Sequence, residues 1–234
     1  MTGADGSAEP EPPSIGAALL EAVAVMDRLR SPGGCPWDAE QTHASLAPYL
    51  LEEAYEAYQA IEDGDLDALR DELGDVLLQV LFHARLAEEL PAEQRWSVDD
   101  VAAGLVAKLQ RRHPHVFAGV EVADADEVNR NWEQIKAAER GDKAPVASVP
   151  LAAPALTLAA KLQRKAGVTA TEDAEPLIDA VQRFTNEPSA DAAGALLWAA
   201  VGLMRANGID AEAALRARAR GFRDEVLAAG SESS

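Results

Sequence analysis

The sequence predicts an all-α protein, a helical bundle followed by a second, related set of helices. Three observations carry this. Alanine is abundant and aromatic residues make up only 5% of the chain, a balance that favours helices over sheets. Apolar residues recur at three- and four-residue spacing along most of the length. No segment alternates apolar and polar residues as a half-buried strand would.

The elements follow in order. Residues 1–13 are acidic and proline-rich and read as a disordered leader, unlike the basic-then-apolar pattern of a signal peptide. Ile15, Leu19, Val23, Met26 and Leu29 have the helix period, and Ser31-Pro32-Gly33-Gly34-Cys35-Pro36 stops that helix in a loop. A helix over 46–62 is expected next, with Ser45 as its N-cap and Pro48 in its first turn. Gly64 suits a left-handed C-cap, so the helix over 66–90 should run antiparallel to its predecessor. Ser97 and Asp100 form a capping box that opens a helix through Arg112. His113-Pro114 breaks it, and a further helix spans 126–140. Residues 141–154 read as a linker. Helices over 155–166, 175–186, 190–206 and 211–229 complete the chain. The domains are therefore drawn at 14–140 and 155–230. A faint repeat relates them: Asp71-Glu72-Leu73-Gly74-Asp75 aligns with Asp191-Ala192-Ala193-Gly194-Ala195, packing residues kept and acids lost.

Charge narrows the function. Lys and Arg number 21 against 40 Asp and Glu, a formal net charge of −19, and a nucleic-acid backbone would be repelled. A small anion at a local basic cluster stays open. The single cysteine, Cys35, excludes an intrachain disulfide and a multi-cysteine zinc site. No apolar run approaches the ~18 residues of a membrane span, so cytoplasm is the expected location.

The chemistry concentrates in acids. Glu53 and Glu56 are three residues apart and share a helix face, with Glu52 beside them; Glu72 and Asp75 repeat the spacing on the next helix. Residues 73–82 are apolar nearly all round, which predicts burial, and no Lys or Arg lies between 46 and 62. Unpaired acids in that setting call for a divalent cation, and Mg²⁺ or Mn²⁺ prefers oxygen ligands. A solvated acidic stripe is the plain alternative. A di-iron site would need Glu-x-x-His, and here the spacing ends in Asp75. Lys108 and Arg112, four apart, head the densest basic run, and Trp132 and Lys136 pair a stacking ring with an ammonium. Together they suit a metal-bound nucleotide.

These motifs resemble the MazG family of nucleoside triphosphate pyrophosphohydrolases. The resemblance lies in Gly34-Cys35-Pro36-Trp37-Asp38, in Gln41-Thr42-His43, in Pro48-Tyr49-Leu50-Leu51-Glu52-Glu53-Ala54-Tyr55-Glu56 and in Glu72-Leu73-Gly74-Asp75. Arg111-Arg112-His113-Pro114-His115-Val116-Phe117 and Trp132-Glu133-Gln134-Ile135-Lys136 extend it. It implies an all-α, usually dimeric, Mg²⁺-dependent enzyme that cleaves a nucleoside triphosphate to monophosphate and pyrophosphate, with a housecleaning role. By the same likeness Glu53, Glu56, Glu72 and Asp75 would ligate the metal, and Glu52 would support the site or orient water. Lys108 and Arg112 would contact the triphosphate, and Trp132 and Lys136 the nucleotide. The second copy lacks the acids, so activity is expected in the first. A non-catalytic metal- or nucleotide-binding helical scaffold is the alternative.

Overall fold

The computed structural model describes residues 14–231, so the expected leader over 1–13 lies outside the described residues. Those residues form eleven α-helices and one 3₁₀ turn, with no strand among them. Two compact units divide between Ala123 and Asp124.

The first unit holds α1 (Ala17–Arg30), α2 (Pro36–Glu40), α3 (His43–Asp63), α4 (Leu66–Ala87), α5 (Val98–Arg112) and the short α6 (Pro114–Phe117). Helix α3 begins earlier than the sequence suggests. Thr42 is its N-cap, accepting from the Ser45 amide, while the Ser45 hydroxyl accepts from the Thr42 amide. Ser45 is thus the third helical residue of a capping box, and Pro48 falls inside the helix rather than in its first turn. The reciprocal box satisfies two end amides and outcompetes a single cap. Helix α2, within the expected loop, follows a tight approach: a Cβ on Gly34 would lie 2.1 Å from the Leu29 carbonyl oxygen, which only glycine avoids. Gly64, at φ 71°, closes α3 and turns the chain into α4.

Met26, Leu46, Leu81, Phe82 and Leu86 make the core, which Ala22, Val23 and Val98 flank. An ionic network borders it: Arg30 reaches Glu89 at 2.7 Å, and Arg85 reaches Asp27 at 2.8 Å and Glu89 at 3.0 Å. Arg30 also donates to the Asp38 carbonyl, which ties α2 to α1. Hydrogen bonding from Arg30 holds the Glu89 carboxyl below its usual range.

The expectation that residues 73–82 are buried is corrected. Gln79, Leu81 and Phe82 are buried, but Leu73 is 53% exposed and Leu77, Leu78 and Val80 are exposed as well. A helix apolar all round needs cover on both sides, and within this unit the other side is open. The neighbouring helix continues the surface with exposed Leu51, Tyr55, Tyr58 and Ile61.

His43 and His83 join α3 to α4. Their Nδ1 atoms are 2.7 Å apart, their rings are nearly parallel, and Trp96 stacks on His43. One Nδ1 must donate and the other accept, so the bond needs at least one neutral ring. Burial first, then the charge of His43, lowers the His83 pKa below 6.5. The unfolded chain therefore takes up this proton more readily. Stability from the pair is fully present above pH 6.5 and is lost as pH falls through the depressed folded value. Urea denaturation of the wild type should show a drop in stability between pH 7.5 and 5 that His83→Gln reduces. A drop of equal size in His83→Gln would contradict this role.

The second unit contains α7 (Ala125–Arg140), a 3₁₀ turn (Pro145–Ser148), α8 (Ala155–Lys165), α9 (Glu175–Asn186), α10 (Ala190–Ala206) and α11 (Ala211–Ser231). The division of the chain thus falls before α7, where the sequence drew a boundary after it, and Val149 within the expected linker is buried. Helix α10 packs on α8, α9 and α11 as α4 packs on α1, α3 and α5. Gln163, 1% exposed, is satisfied: its amide donates to the Trp198 carbonyl, and its oxygen accepts from Arg205, each at 2.9 Å. Among the described residues no single helix is long and apolar enough to cross a membrane.

Candidate metal centre

The centre is a product of the α3–α4 hairpin. Glu56 and Glu72 stand equally far in sequence from Gly64 on either side, as do Glu53 and Asp75. An antiparallel hairpin closed at Gly64 brings such positions level with each other. Ligand oxygens of Glu53, Glu56 and Glu72 all lie within 4.8 Å of one another. Glu53 and Glu72 are half-buried and Glu56 is exposed.

The electrostatics record the crowding. Desolvation, then the charges of Asp75, Glu56 and Glu52, raise the Glu53 pKa above 4.5. Desolvation, then Glu56, Asp75 and Asp71, do the same to Glu72. The close approach of Glu56 is a further cause of the upward shift at both Glu53 and Glu72. No Lys or Arg among the described residues forms an ion pair with Glu53, Glu56, Glu72 or Asp75. The nearest basic residue in sequence, Arg70, is turned to Asp67 and Asp71. An all-oxygen, uncompensated donor set fits a hard divalent cation.

The sequence-predicted residues separate into groups. Glu53, Glu56 and Glu72 converge. Asp75 stands outside their 4.8 Å group, although its charge acts on Glu53 and Glu72. Glu52 is exposed beside Glu53. Lys108 is exposed on α5 and forms no ion pair among the described residues, and Arg112 is half-buried at the end of that helix. No described bond joins Lys108 to the carboxylates. Trp132 and Lys136 lie on α7 in the second unit, where Lys136 meets Glu133 at 2.8 Å. The sequence reading did not anticipate the His43–His83 pair, nor the edge-to-face contacts of Trp37 with Tyr49 and Phe82. The register of α3 on α4 aligns the two histidines, and the placement of α2 brings Trp37 to Tyr49 and Phe82.

The profile of the MazG nucleotide pyrophosphohydrolase domain matches residues 41–117, which include the whole α3–α4 hairpin. The nucleoside triphosphate pyrophosphohydrolase of Escherichia coli K12 is 41% identical over 213 residues, covering 83% of this chain and 80% of that protein. This chain belongs to the MazG family. A second MazG relative, the nucleoside triphosphate pyrophosphohydrolase/pyrophosphatase MazG of Thermotoga maritima, is 39% identical over 88% of this chain and 83% of its own length. An uncharacterized 26.1 kDa protein from the blaB 3′ region of Streptomyces cacaoi is 45% identical over 92% of this chain and 83% of its own. The likeness to these proteins extends well past the matched domain, so the second unit is shared with MazG relatives too.

Proposed function

We propose that this protein hydrolyses nucleoside triphosphates to the monophosphate and pyrophosphate with Mg²⁺ as cofactor, Mn²⁺ serving as a substitute. The observation that carries the reading is the convergence of Glu53, Glu56 and Glu72 without a basic partner. Names of relatives such as the Escherichia coli protein support the choice of substrate. Glu53, Glu56 and Glu72 hold the metal, with Asp75 as the fourth acid. Bound there, Mg²⁺ supplies charge neutralisation and polarisation of a phosphoryl oxygen. Glu52, exposed at the edge, positions the attacking water. Lys108 and Arg112 contact the triphosphate and stabilise negative charge on the departing pyrophosphate. Trp132 and Lys136 contact the nucleotide, the ring suited to stack on a base and the ammonium to meet a phosphate. The reaction adds one water across the bridge between the α and β phosphates. The catalytic domain is taken as 14–140, the protein as a cytoplasmic homodimer, and the role as clearance of unwanted nucleotides.

The test is incubation with mixed triphosphates and Mg²⁺, with and without chelator. The expected products are monophosphate and pyrophosphate, formed only without chelator. Binding of nucleotide with no product would indicate a scaffold, and orthophosphate would indicate another hydrolase.

A further inference from the structure

The helix packing common to the two units leaves a solvent-open pocket in each, and the lining has changed sign between them. In the first unit a cavity of about 330 Å³ is lined by Leu20, Ala24 and Asp27 of α1, Leu81 and Arg85 of α4, and Val98 at the start of α5. In the second, a cavity of about 220 Å³ is lined by Thr157, Lys161 and Arg164 of α8, Val201 and Arg205 of α10, and Ala211 at the start of α11. One sequence offset carries Leu20, Ala24 and Asp27 onto Thr157, Lys161 and Arg164. The offset that aligns Asp71 with Asp191 carries Leu81 and Arg85 onto Val201 and Arg205. The cavities are equivalent places in the repeat.

Their charges are not equivalent. In the first cavity Arg85 is neutralised by Asp27 and Glu89. In the second, Arg164 occupies the place of Asp27 and Lys161 the place of Ala24, so two cations have been added and the acid removed. Among the described residues Arg205 binds only neutral acceptors, the Gln163 side chain and the Val168 carbonyl. Lys161 and Arg164 form no ion pair among the described residues. The one carboxylate in the lining, Asp210, is engaged in capping α11, where it accepts from the Ala213 amide. Three cations against one acid is a local excess of positive charge in a chain of net charge −19. Thr157 adds a hydroxyl donor where the first unit has Leu20. The start of the 21-residue α11 adds the positive end of a helix dipole.

We propose that this second cavity binds a small oxyanion of the phosphate class, held by Lys161, Arg164 and Arg205 with Thr157 as a further donor. Lys161 and Arg164 provide charge, while Arg205 is fixed in place by Gln163 and Val168 and offers its remaining N–H groups. Inorganic phosphate and pyrophosphate share this chemistry, and the volume accommodates either. It shares no residue with the acidic centre on α3 and α4.

Calorimetric titration of the full chain tests this, with inorganic phosphate and pyrophosphate in separate arms. Chelator keeps divalent metal away, and ionic strength is matched with chloride. One saturable site is expected for at least one anion, and the arm with the tighter binding names the source. Affinity should be unchanged in Glu72→Gln and fall at least tenfold in Lys161→Ala and in Arg164→Ala, with Lys161→Arg restoring part of it. Circular dichroism checks folding. If Lys161→Ala fails to fold, Arg164→Glu, altered at an exposed side chain, carries the same test. No saturable heat with either anion, or unchanged affinity in folded Arg164 variants, overturns the proposal. The titration contains no metal and reads no turnover, so its outcome is separate from that of the pyrophosphohydrolase assay.

Discussion

Glu72→Gln protein should release pyrophosphate at least about a hundredfold more slowly than wild type, yet melt at a higher temperature when divalent metal is absent. Both effects come from one charge. Changes to residues that only support a metal ligand already cost about 10- to 100-fold, and Glu72 is proposed as a ligand itself. Within the cluster, Glu56, Asp75 and Asp71 all repel the Glu72 carboxylate. A glutamine retains the shape and removes the repulsion. The pH dependence has a definite sign. Glu53 and Glu72 have folded pKa values above 4.5, so the folded chain holds their protons more tightly than the unfolded chain. Metal-free protein therefore loses stability as pH rises from 4.5 through the raised values. Mg²⁺ should reverse that loss in wild type by binding only the folded state, and should shift the melting temperature of Glu72→Gln far less. Scanning calorimetry with and without Mg²⁺ reads the second effect, and a pyrophosphate assay the first. Near-normal pyrophosphate release by the folded variant would remove Glu72 from the centre.

Leu73→Glu/Leu77→Glu should convert the proposed dimer into a monomer. Leu73, Leu77 and Val80 follow a helical stripe along α4, and Leu51, Tyr55 and Tyr58 follow another along α3, all exposed within one chain. Each large apolar side chain covered by a partner contributes about 1.5–3 kcal/mol, so a few suffice to hold two copies together. A stripe of this extent on a chain so acidic elsewhere is a surface built to be covered, and a second copy is the proposed cover. The carboxylates lie on the same two helices, so metal-stimulated activity should fall along with the dimer. Sedimentation velocity at micromolar concentration is the measurement. Wild type sedimenting as a monomer would defeat the proposal, as would a double variant that remains a dimer.

The two sides of α4 mark where sequence reading succeeds and where it stops. Spacing alone put Glu53 with Glu56 and Glu72 with Asp75, since residues three apart share a helix face in any helix. Gly64 fixed the turn, and equal counts outward from it set the acids of α3 level with those of α4. The helices, the all-α class and the acidic pairs were therefore legible. Burial was not. The apolar run 73–82 reads the same whether its second face meets its own chain or another, and here its own chain leaves Leu73 and Leu77 open. The cap of α3 was misplaced because Thr42 and Ser45 are both competent caps, and only the reciprocal bonds choose between them.

By itself the sequence determined the principal helices, the turn at Gly64 and which acids share a face, because these depend on neighbours within about one or two turns. Tertiary structure alone decided that Glu53, Glu56 and Glu72 converge, that His43 meets His83, and that α7 groups with the second unit. It also showed that Asp27 and its repeat counterpart Arg164 line pockets at equivalent places in the two units. Such relations depend on helix register and on which faces pack, and those are set by long-range burial rather than by local spacing.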